Sequence, residues 1–237
     1  MPGVTSATAS PSSAPAPPPA DRPGRPGRPG RLVLLRHGRT AWAHSGQHTG
    51  RTDIPLDEVG VAQARALPPL LSALCPGEPA LVVSSPLVRA RRTAELAGLS
   101  AITTDEDLVE WDYGAYEGLT TPQIRELRGG DAWTVFADGV APGQEGSSAG
   151  ESLEDVAART GAVIERVRPH LADGDVVLVA HGHSLRVLAT VWLGLPPQAG
   201  AQLLLDPASV CVLDVEHGVP GIRHWNLTPA LFGSPSS

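Results

Sequence analysis

The chain contains no lysine, because all 18 of its basic residues are arginine. This absence excludes a Walker A lysine, a Schiff-base lysine and any other site that depends on a lysine ammonium group. Aromatic residues are also scarce, at 4% of the 237 residues, so alanine, valine and leucine must fill the core. An apolar content of 41% is sufficient for a core of ordinary size.

Cysteine is nearly absent, and long apolar runs are missing. Cys75 and Cys211 lie far apart and form no Cys-x-x-Cys motif, so neither a disulfide framework nor a zinc knuckle is predicted. We expect both thiols to be buried and the protein to be intracellular, in the cytoplasm. No segment is long and apolar enough for a signal peptide or a membrane span. The net charge of -7 argues against a general nucleic-acid partner.

The amino-terminal residues differ in composition from the rest. Residues 1–30 are rich in serine, alanine and proline and end in Pro-Gly-Arg repeats, a composition that predicts a disordered leader. Its arginines could contact an acidic partner, although a solvated extension is the simpler interpretation. A single domain is predicted over residues 31–226, followed by a loose tail over residues 227–237.

Three apolar runs predict buried strands, at residues 32–35, 81–83 and 176–180. Two further strands, at residues 210–213 and 221–224, are expected to be antiparallel. Helical spacing lies between the runs. One helix is predicted over residues 57–74, with a break at Pro68-Pro69. Further helices are predicted to begin at Pro86 and after Ser152, and another covers residues 184–193.

The polar residues that follow the first strand are the strongest candidates for a site. Ligands of open α/β sheets bind beyond the carboxyl ends of the strands, which is where Arg36 and His37 lie. Arginine offers a planar fork of donors to phosphate or carboxylate, and a neutral imidazole is a nucleophile near pH 7. Gly38 would let the backbone approach a ligand. The pattern suggests a histidine that attacks a bound phosphoryl group; the alternative is a surface Arg-His pair that closes a strand.

Other segments bring further polar groups toward the same crevice. Residues 45–53 form a glycine-punctuated loop over an anion site, and Arg89 falls in the first turn of the helix that Ser85 would cap. The third strand ends in His181, and the helix that follows adds backbone donors for an anion. A His-x-His triplet at 181–183 can bind metal, but without an acidic cluster no metal site is predicted.

The segment at residues 110–118 mixes acidic, aromatic and glycine residues. It predicts a loop with packed aromatic rings that would hold a carboxyl group and favour its protonated form. The alternative is a turn with solvated acids. Residues 120–150 are expected to form an excursion over the site, helical at 122–128 and 131–136, that acts as a lid.

Four motifs in order resemble the histidine phosphatase superfamily, the phosphoglycerate mutase-like proteins, over residues 32–216. They are Leu-Arg-His-Gly-x-Thr at 35–40, Ser-Pro-Leu-x-Arg-Ala-x-x-Thr-Ala at 85–94, Glu-x-x-Tyr-Gly-x-x-Glu-Gly at 110–118 and Ala-His-Gly-x-Ser-Leu-Arg at 180–186. The resemblance implies an α/β fold, a three-layer sandwich with a mixed, mostly parallel sheet. It implies that His37 becomes phosphohistidine, that Arg36, Arg89 and His181 bind phosphate, and that Glu110 donates a proton. It implies no cofactor.

The segment at residues 42–56 is similar to a branch of sedoheptulose bisphosphatase-like enzymes and small acid phosphatases. Ala43 stands where many members have a phosphate-binding asparagine, and Arg39 stands where glutamate is frequent. The substrate-binding residues that we predict are Gln47, Thr49, Gly50, Gly182 and His183.

The predicted function is a metal-independent phosphomonoesterase for a small phosphorylated metabolite, with a sugar phosphate or bisphosphate preferred. Two alternatives stay open. One is a mutase-type phosphotransferase, which is disfavoured because the tyrosine- and proline-rich segment of the phosphoglycerate mutases is missing. The other is a catalytically weak module that binds a phosphorylated ligand, since Ala43 removes one phosphate donor.

Overall fold

The computed structural model describes residues 30–130, 132–143 and 148–232, with only the main chain for Leu231 and Phe232. The predicted leader therefore lies outside the described residues, apart from Gly30. A single six-stranded sheet has the order β3-β2-β4-β1-β5-β6. Its strands are β1 Leu32–Arg36, β2 Leu81–Ser84, β3 Ile102–Thr104, β4 Val176–Ala180, β5 Val210–Glu216 and β6 Val219–Leu227.

The sheet is mixed, as the sequence motifs implied. The neighbouring pairs β3–β2, β2–β4 and β4–β1 are parallel. Strand β5 runs antiparallel to β1, and β6 antiparallel to β5. The polar residues after β1, β2 and β4 therefore meet at one edge of the sheet, because carboxyl ends of parallel strands point the same way.

Helices lie between the strands along the chain. They are α1 Ala41–Ser45, α2 Glu58–Arg65, α3 Leu67–Leu74, α4 Val88–Leu96, α5 Thr121–Leu127, α6 Val135–Asp138, α7 Leu153–Val167, α8 Gly182–Leu193 and α9 Pro229–Phe232. Short 3-10 turns add Glu106–Leu108, Gly114–Tyr116, Arg168–Ala172 and Pro197–Gln202. None of the helices in the described ranges is long and apolar enough to cross a membrane.

Side chains of the buried strands alternate between two cores, one on each face of the sheet. Leu32 and Leu34 of β1 pack with α7 and α8 on one face. Val33 and Leu35 pack with α2, α3 and α4 on the other. Helices thus cover both faces, which confirms the predicted three-layer α/β sandwich. A third, aromatic cluster surrounds Trp111 beside this sandwich.

Several element boundaries differ from the predictions. The break between α2 and α3 falls at Ala66, and Pro68-Pro69 occupy the first turn of α3, where missing N–H groups cost nothing. Helix α4 begins at Val88, not at Pro86. Its first N–H is bonded by Asp53, 35 residues earlier, at 2.8 Å. Helix α8 begins at Gly182, before the predicted start at residue 184.

The carboxyl-terminal prediction was wrong in part. Strand β6 continues to Leu227, and helix α9 follows it and lies beside α3. Of the predicted loose tail at 227–237, Leu227 belongs to β6, where it pairs with Val210 of β5, and Pro229–Phe232 form α9. Residues 233–237 lie outside the described residues. In the middle segment, α6 begins at Val135, later than the predicted helix at 131–136.

Candidate active site

Two neighbouring parallel strands place His37 and His181 side by side. Arg36, the last residue of β1, is in register with Ala180, the last residue of β4. The His37 N–H donates to the Ala180 carbonyl at 3.0 Å. The two imidazole ring centres lie 5.1 Å apart. In the sequence, a histidine and a glycine follow both β1 and β4, and in the fold these two segments lie next to each other.

The His37 imidazole is buried and neutral. Its Nδ1 lies 2.7 Å from the Gly38 carbonyl oxygen. A carbonyl can only accept, so Nδ1 carries the proton and Nε2 keeps its lone pair. Burial, followed by the charges of Arg89 and Arg36, holds the pKa of His37 well below its usual value. The ring is therefore neutral near pH 7, with its proton on Nδ1 and a lone pair on Nε2.

Gly38 lies in close contact with a second glycine, Gly60 of α2. A Cβ at Gly38 would lie 2.5 Å from the carbonyl oxygen of Gly60 in α2. A Cβ at Gly60 would in turn lie 2.0 Å from the Arg39 carbonyl oxygen. The absence of a side chain at both positions thus lets α2 pack directly against the backbone that follows His37, while an approach of the Gly38 backbone to a ligand stays a prediction.

Arg36 presents an unused donor toward the site. Its Nη1 donates to the Leu205 carbonyl. Its Nε is buried and has no hydrogen-bond partner among the described residues. A Cβ at Gly182 would lie 3.2 Å from the Arg36 Cζ, so the glycine lets the guanidinium lie against the first turn of α8. Buried donors of this kind are normally satisfied, and a bound anion would satisfy this one.

Arg89 and His181 form a buried pair. The Arg89 Nε donates to His181 Nδ1 at 3.1 Å, so a neutral His181 carries its proton on Nε2, which lies 2.7 Å from the Ser85 hydroxyl. Burial, then the Arg89 charge, holds the pKa of His181 well below its usual value. Both residues are fully buried. The structure thus brings these predicted residues beside His37, with both nitrogens of His181 bonded.

The loop at 47–52 is pinned from two sides. Arg89 donates to the carbonyls of Thr49, Gly50 and Thr52 at 2.9–3.3 Å. The Glu117 carboxylate accepts the N–H groups of Gly50 and Thr52 at 2.9–3.1 Å. Both the N–H and the carbonyl of Gly50, a residue predicted to bind substrate, are therefore bonded within the protein. This geometry gives Glu117 a structural role in the loop.

Two further predicted substrate-binding residues in this loop also have partners within the protein. The Gln47 Nε2 donates to the Gly118 carbonyl at 2.7 Å. The Thr49 hydroxyl donates to the Gln47 carbonyl at 3.3 Å. Their contact with substrate stays a prediction.

Glu110 lies at the amino end of α8, beside the edge of the sheet at which β1 and β4 end. Its Oε1 accepts the N–H groups of Trp111 and Ser184 at 2.9 and 2.8 Å. Its Oε2 accepts the His183 N–H at 3.0 Å. The side chain is 5% exposed and Asp112 is 8% exposed, so the alternative of a turn with solvated acids is wrong. The aromatic loop is packed as predicted, but backbone donors also reach the Glu110 carboxyl group.

Next to Glu110, the rings of His48, Tyr113 and His183 contact one another. The Tyr113 hydroxyl lies 2.5 Å from His183 Nδ1, and the rings of His48 and His183 are stacked with centres 6.0 Å apart. Burial lowers the pKa of His48 to about 4 and that of His183 well below its usual value. These neutral imidazoles offer hydrogen bonds without charge. In the described residues no group of three or more histidine, cysteine or acidic side chains is placed to hold a metal ion.

The sequence analysis did not identify several residues that hold the site. Ser85 was assigned as a helix cap, yet its hydroxyl is the partner of His181. Arg159 in α7 bonds the backbone before Glu110 and pairs with Glu151. Their separation along the chain hides these contacts from any local pattern. The capping box that opens α7 at Ser152 was the available signal that residues near Glu151 are fixed in place.

A sequence model of the histidine phosphatase superfamily (branch 1) matches residues 32–228. The chain belongs to this superfamily. An acid phosphatase of Mycobacterium tuberculosis is 40% identical over 198 residues, which cover 84% of this chain and 93% of that protein. Sedoheptulose 1,7-bisphosphatase of Saccharomyces cerevisiae is 34% identical over 81% of this chain and 78% of its own.

Solved structures agree with this family. The product of a functionally characterised M. tuberculosis open reading frame is 40% identical, with a TM-score of 0.77 over 84% of this chain and 98% of its own. A mycobacterial glucosyl-3-phosphoglycerate phosphatase, solved with VO3, is 32% identical, with a TM-score of 0.72 over 84% of this chain and 100% of its own. The relatives support a phosphatase activity.

Proposed function

We propose that the protein hydrolyses phosphomonoesters of small metabolites through a phosphohistidine at His37, without a metal ion. The observation that carries this proposal is the neutral imidazole of His37. Its Nδ1 is held by the Gly38 carbonyl, which leaves the Nε2 lone pair for a ligand, and the buried Nε–H of the adjacent residue Arg36 has no hydrogen-bond partner among the described residues. A nucleophile beside an anion-binding cation is the arrangement that phosphoryl transfer requires.

The first step transfers the phosphoryl group to the protein. The His37 Nε2 lone pair forms a bond to phosphorus while the bond from phosphorus to the ester oxygen breaks. The protonated Glu110 carboxyl group donates its proton to that oxygen, which leaves as an alcohol. An alkoxide of a sugar is strongly basic, so this proton transfer is needed as the bond breaks.

The second step returns the protein to its starting state. Water attacks phosphorus while the bond from phosphorus to Nε2 breaks and the electron pair returns to the ring. The Glu110 carboxylate accepts the proton from that water, so the acid is regenerated and inorganic phosphate is released. The same carboxyl group therefore acts once as an acid and once as a base.

The charges of the phosphoryl oxygens are stabilised by the protein itself in this proposal. Arg36 supplies direct donors, and the buried charge of Arg89 lies beside His181. The amino end of α8, a helix of 12 residues, adds positive potential at the same place. Fixed donors and charges of this kind stabilise a transition state without reorganisation.

The substrate assignment rests more on relatives than on geometry. Relatives are named for sedoheptulose bisphosphate and for glucosyl-3-phosphoglycerate, which supports a small phosphorylated metabolite and, within that class, a sugar phosphate or bisphosphate. Arg51, in the loop at residues 47–52, is half-exposed and only loosely paired with Asp112 and Glu151, each at 3.7 Å. Its guanidinium group therefore has donors to offer to a polar leaving group.

The test combines trapping with a substrate panel. Purified protein is mixed with a phosphate-labelled substrate, quenched in base and analysed for acid-labile phosphate on the chain. We expect labelling of the wild-type protein and none of His37→Ala. A wild-type turnover rate in His37→Ala would refute the mechanism, and better turnover of phosphotyrosine peptides than of every sugar phosphate would refute the substrate class.

The same panel decides between the alternatives. Ligand binding without turnover would indicate a phospho-ligand binding module. Phosphoglycerate mutases are among the relatives, including one of Methylobacterium sp. that is 34% identical over 85% of this chain. Transfer of phosphate from a bisphosphate primer to phosphoglycerate, faster than release to water, would indicate that second activity.

A further inference from the structure

Arg159, which lies outside the predicted site, donates hydrogen bonds to several carbonyls of the loop that leads to Glu110. The Arg159 Nη1 donates to the carbonyls of Asp107 and Val109 at 2.8 and 2.7 Å, and its Nη2 to the Glu110 carbonyl at 3.2 Å. The side chain is 11% exposed. Three carbonyl dipoles that converge on one point repel each other, so this loop path needs a cation at that point.

Glu151 holds both the arginine and the far side of the same loop. Its carboxylate accepts Arg159 Nε and Nη2 at 2.8 and 3.1 Å, as a bidentate pair. It also accepts the Asp112 N–H at 2.9 Å. The Glu151 main chain bonds Asp112 and the Trp111 indole N–H, at 3.0 and 2.8 Å. Residues 107–112 are therefore fixed on both sides of Glu110.

This frame connects the loop to the rigid part of the fold. Arg159 belongs to α7, whose buried residues pack on the central sheet. Glu110 in turn bonds the first turn of α8, which also packs on the sheet. A proton donor must lie within about 2.6–3.2 Å of its acceptor, so a loop without such a frame would place it poorly.

We propose that Arg159 and Glu151 are a positioning pair that sets the Glu110 carboxyl group for proton transfer to the leaving oxygen. This inference rests on the proposed function, in which Glu110 is the acid. The pair acts on catalysis through the backbone of residues 107–112, which Arg159 and Glu151 both bond. Glu151 also pairs loosely with Arg51, at 3.7 Å.

The main test compares two leaving groups in Arg159→Gln. Displacement of Glu110 should lower kcat/KM for an alkyl phosphate about 10- to 100-fold, since a misplacement of about 1 Å can cost ~10²-fold. The phosphorylation step with p-nitrophenyl phosphate should change little, because nitrophenolate leaves without a proton. Arg166→Gln is the matched control. Arg166 lies two turns further along α7 and pairs with the Asp105 and Asp107 carboxylates, each at 2.7 Å.

A double substitution separates positioning from general stability. If Arg159 acts through Glu110, Arg159→Gln should add no further leaving-group effect in a Glu110→Gln background. Glu151→Gln should show the same selectivity as Arg159→Gln at smaller size, and it decides the test if Arg159→Gln does not fold. Thermal melts of each variant identify losses that come only from unfolding.

Two results would overturn the proposal: equal losses on both substrates in Arg159→Gln or its substitute, or an equal leaving-group effect in Arg166→Gln. Failure of the proposed function has a different signature. In that case the wild-type protein hydrolyses neither substrate, or Glu110→Gln itself shows no leaving-group dependence.

Discussion

Glu110→Gln should separate proton donation from every other contribution of this side chain. A glutamine keeps the shape of glutamate, but it has no carboxyl proton to donate. General acid catalysis contributes typically ~10²–10⁴-fold, so hydrolysis of a sugar or alkyl phosphate should fall by about that factor. The phosphorylation step with p-nitrophenyl phosphate should be nearly unchanged.

The hydrogen bonds of Glu110 also predict a loss of stability. The carboxylate accepts three N–H groups, from Trp111, His183 and Ser184. A glutamine amide oxygen can replace Oε1, but its NH₂ group would then face the His183 N–H, donor against donor. A buried donor left unsatisfied costs about 1–3 kcal/mol. For a domain of this size, each kcal/mol lowers Tm by roughly 2–4 °C.

Rapid-quench burst kinetics measure the first step with p-nitrophenyl phosphate, and phosphate release measures the sugar phosphate. Glu117→Gln is the matched control, because that carboxylate also accepts backbone N–H groups, from Gly50 and Thr52. It should lose stability without leaving-group dependence. Equal losses on both substrates in Glu110→Gln would refute the acid role. A large leaving-group effect in Glu117→Gln would move that role to Glu117.

Three further outcomes are expected. Dialysis against EDTA should leave turnover unchanged, whereas a rate that is lost on chelation and restored by one metal would contradict the metal-free mechanism. Deletion of residues 1–29 should leave Tm and turnover of a small substrate unchanged, and a clear fall in either would show that the leader docks on the domain. Acidification should destabilise the protein, because His37, His48, His181 and His183 have lowered pKa values when folded. The unfolded chain takes up protons first, so stability present above pH ~6.5 is lost below it, by up to about 1.4 kcal/mol per histidine per pH unit. A Tm that stays constant between pH 7 and 5.5 would contradict this.

The sequence predicted the elements whose signal is local. The apolar runs of β1 and β4 are buried on both faces, so they read as unbroken hydrophobic segments. The edge strand β3, Ile102–Thr104, was missed because it has three residues, of which two are exposed. The start of α4 was misplaced because its first N–H is bonded by Asp53, a partner that no local pattern reveals.

The candidate site divides in the same way. The motifs identified Arg36, His37, Arg89, Glu110 and His181, and the structure brings these residues together at one edge of the sheet. Sequence patterns could not show that Gly50 and Gln47 donate hydrogen bonds to Glu117 and Gly118 within the protein. They also could not show that Arg159 supports Glu110 from 49 residues away. A residue's type determines which hydrogen bonds it can make, but the fold determines which partners lie within reach.

The carbonyl that holds His37 Nδ1 belongs to the main chain. Histidine nucleophiles and bases are often oriented by a carboxylate, which a single codon change can remove and which an acidic medium can protonate. A peptide carbonyl has neither weakness, since every residue type carries one and it does not titrate in the physiological range. The Gly38 carbonyl group would thus survive any substitution at position 38, but a Cβ there would lie 2.5 Å from the Gly60 carbonyl oxygen, and a Cβ at Gly60 would lie 2.0 Å from the Arg39 carbonyl oxygen. A substitution in α2 can therefore disturb the orientation of the His37 ring as much as one in its own loop.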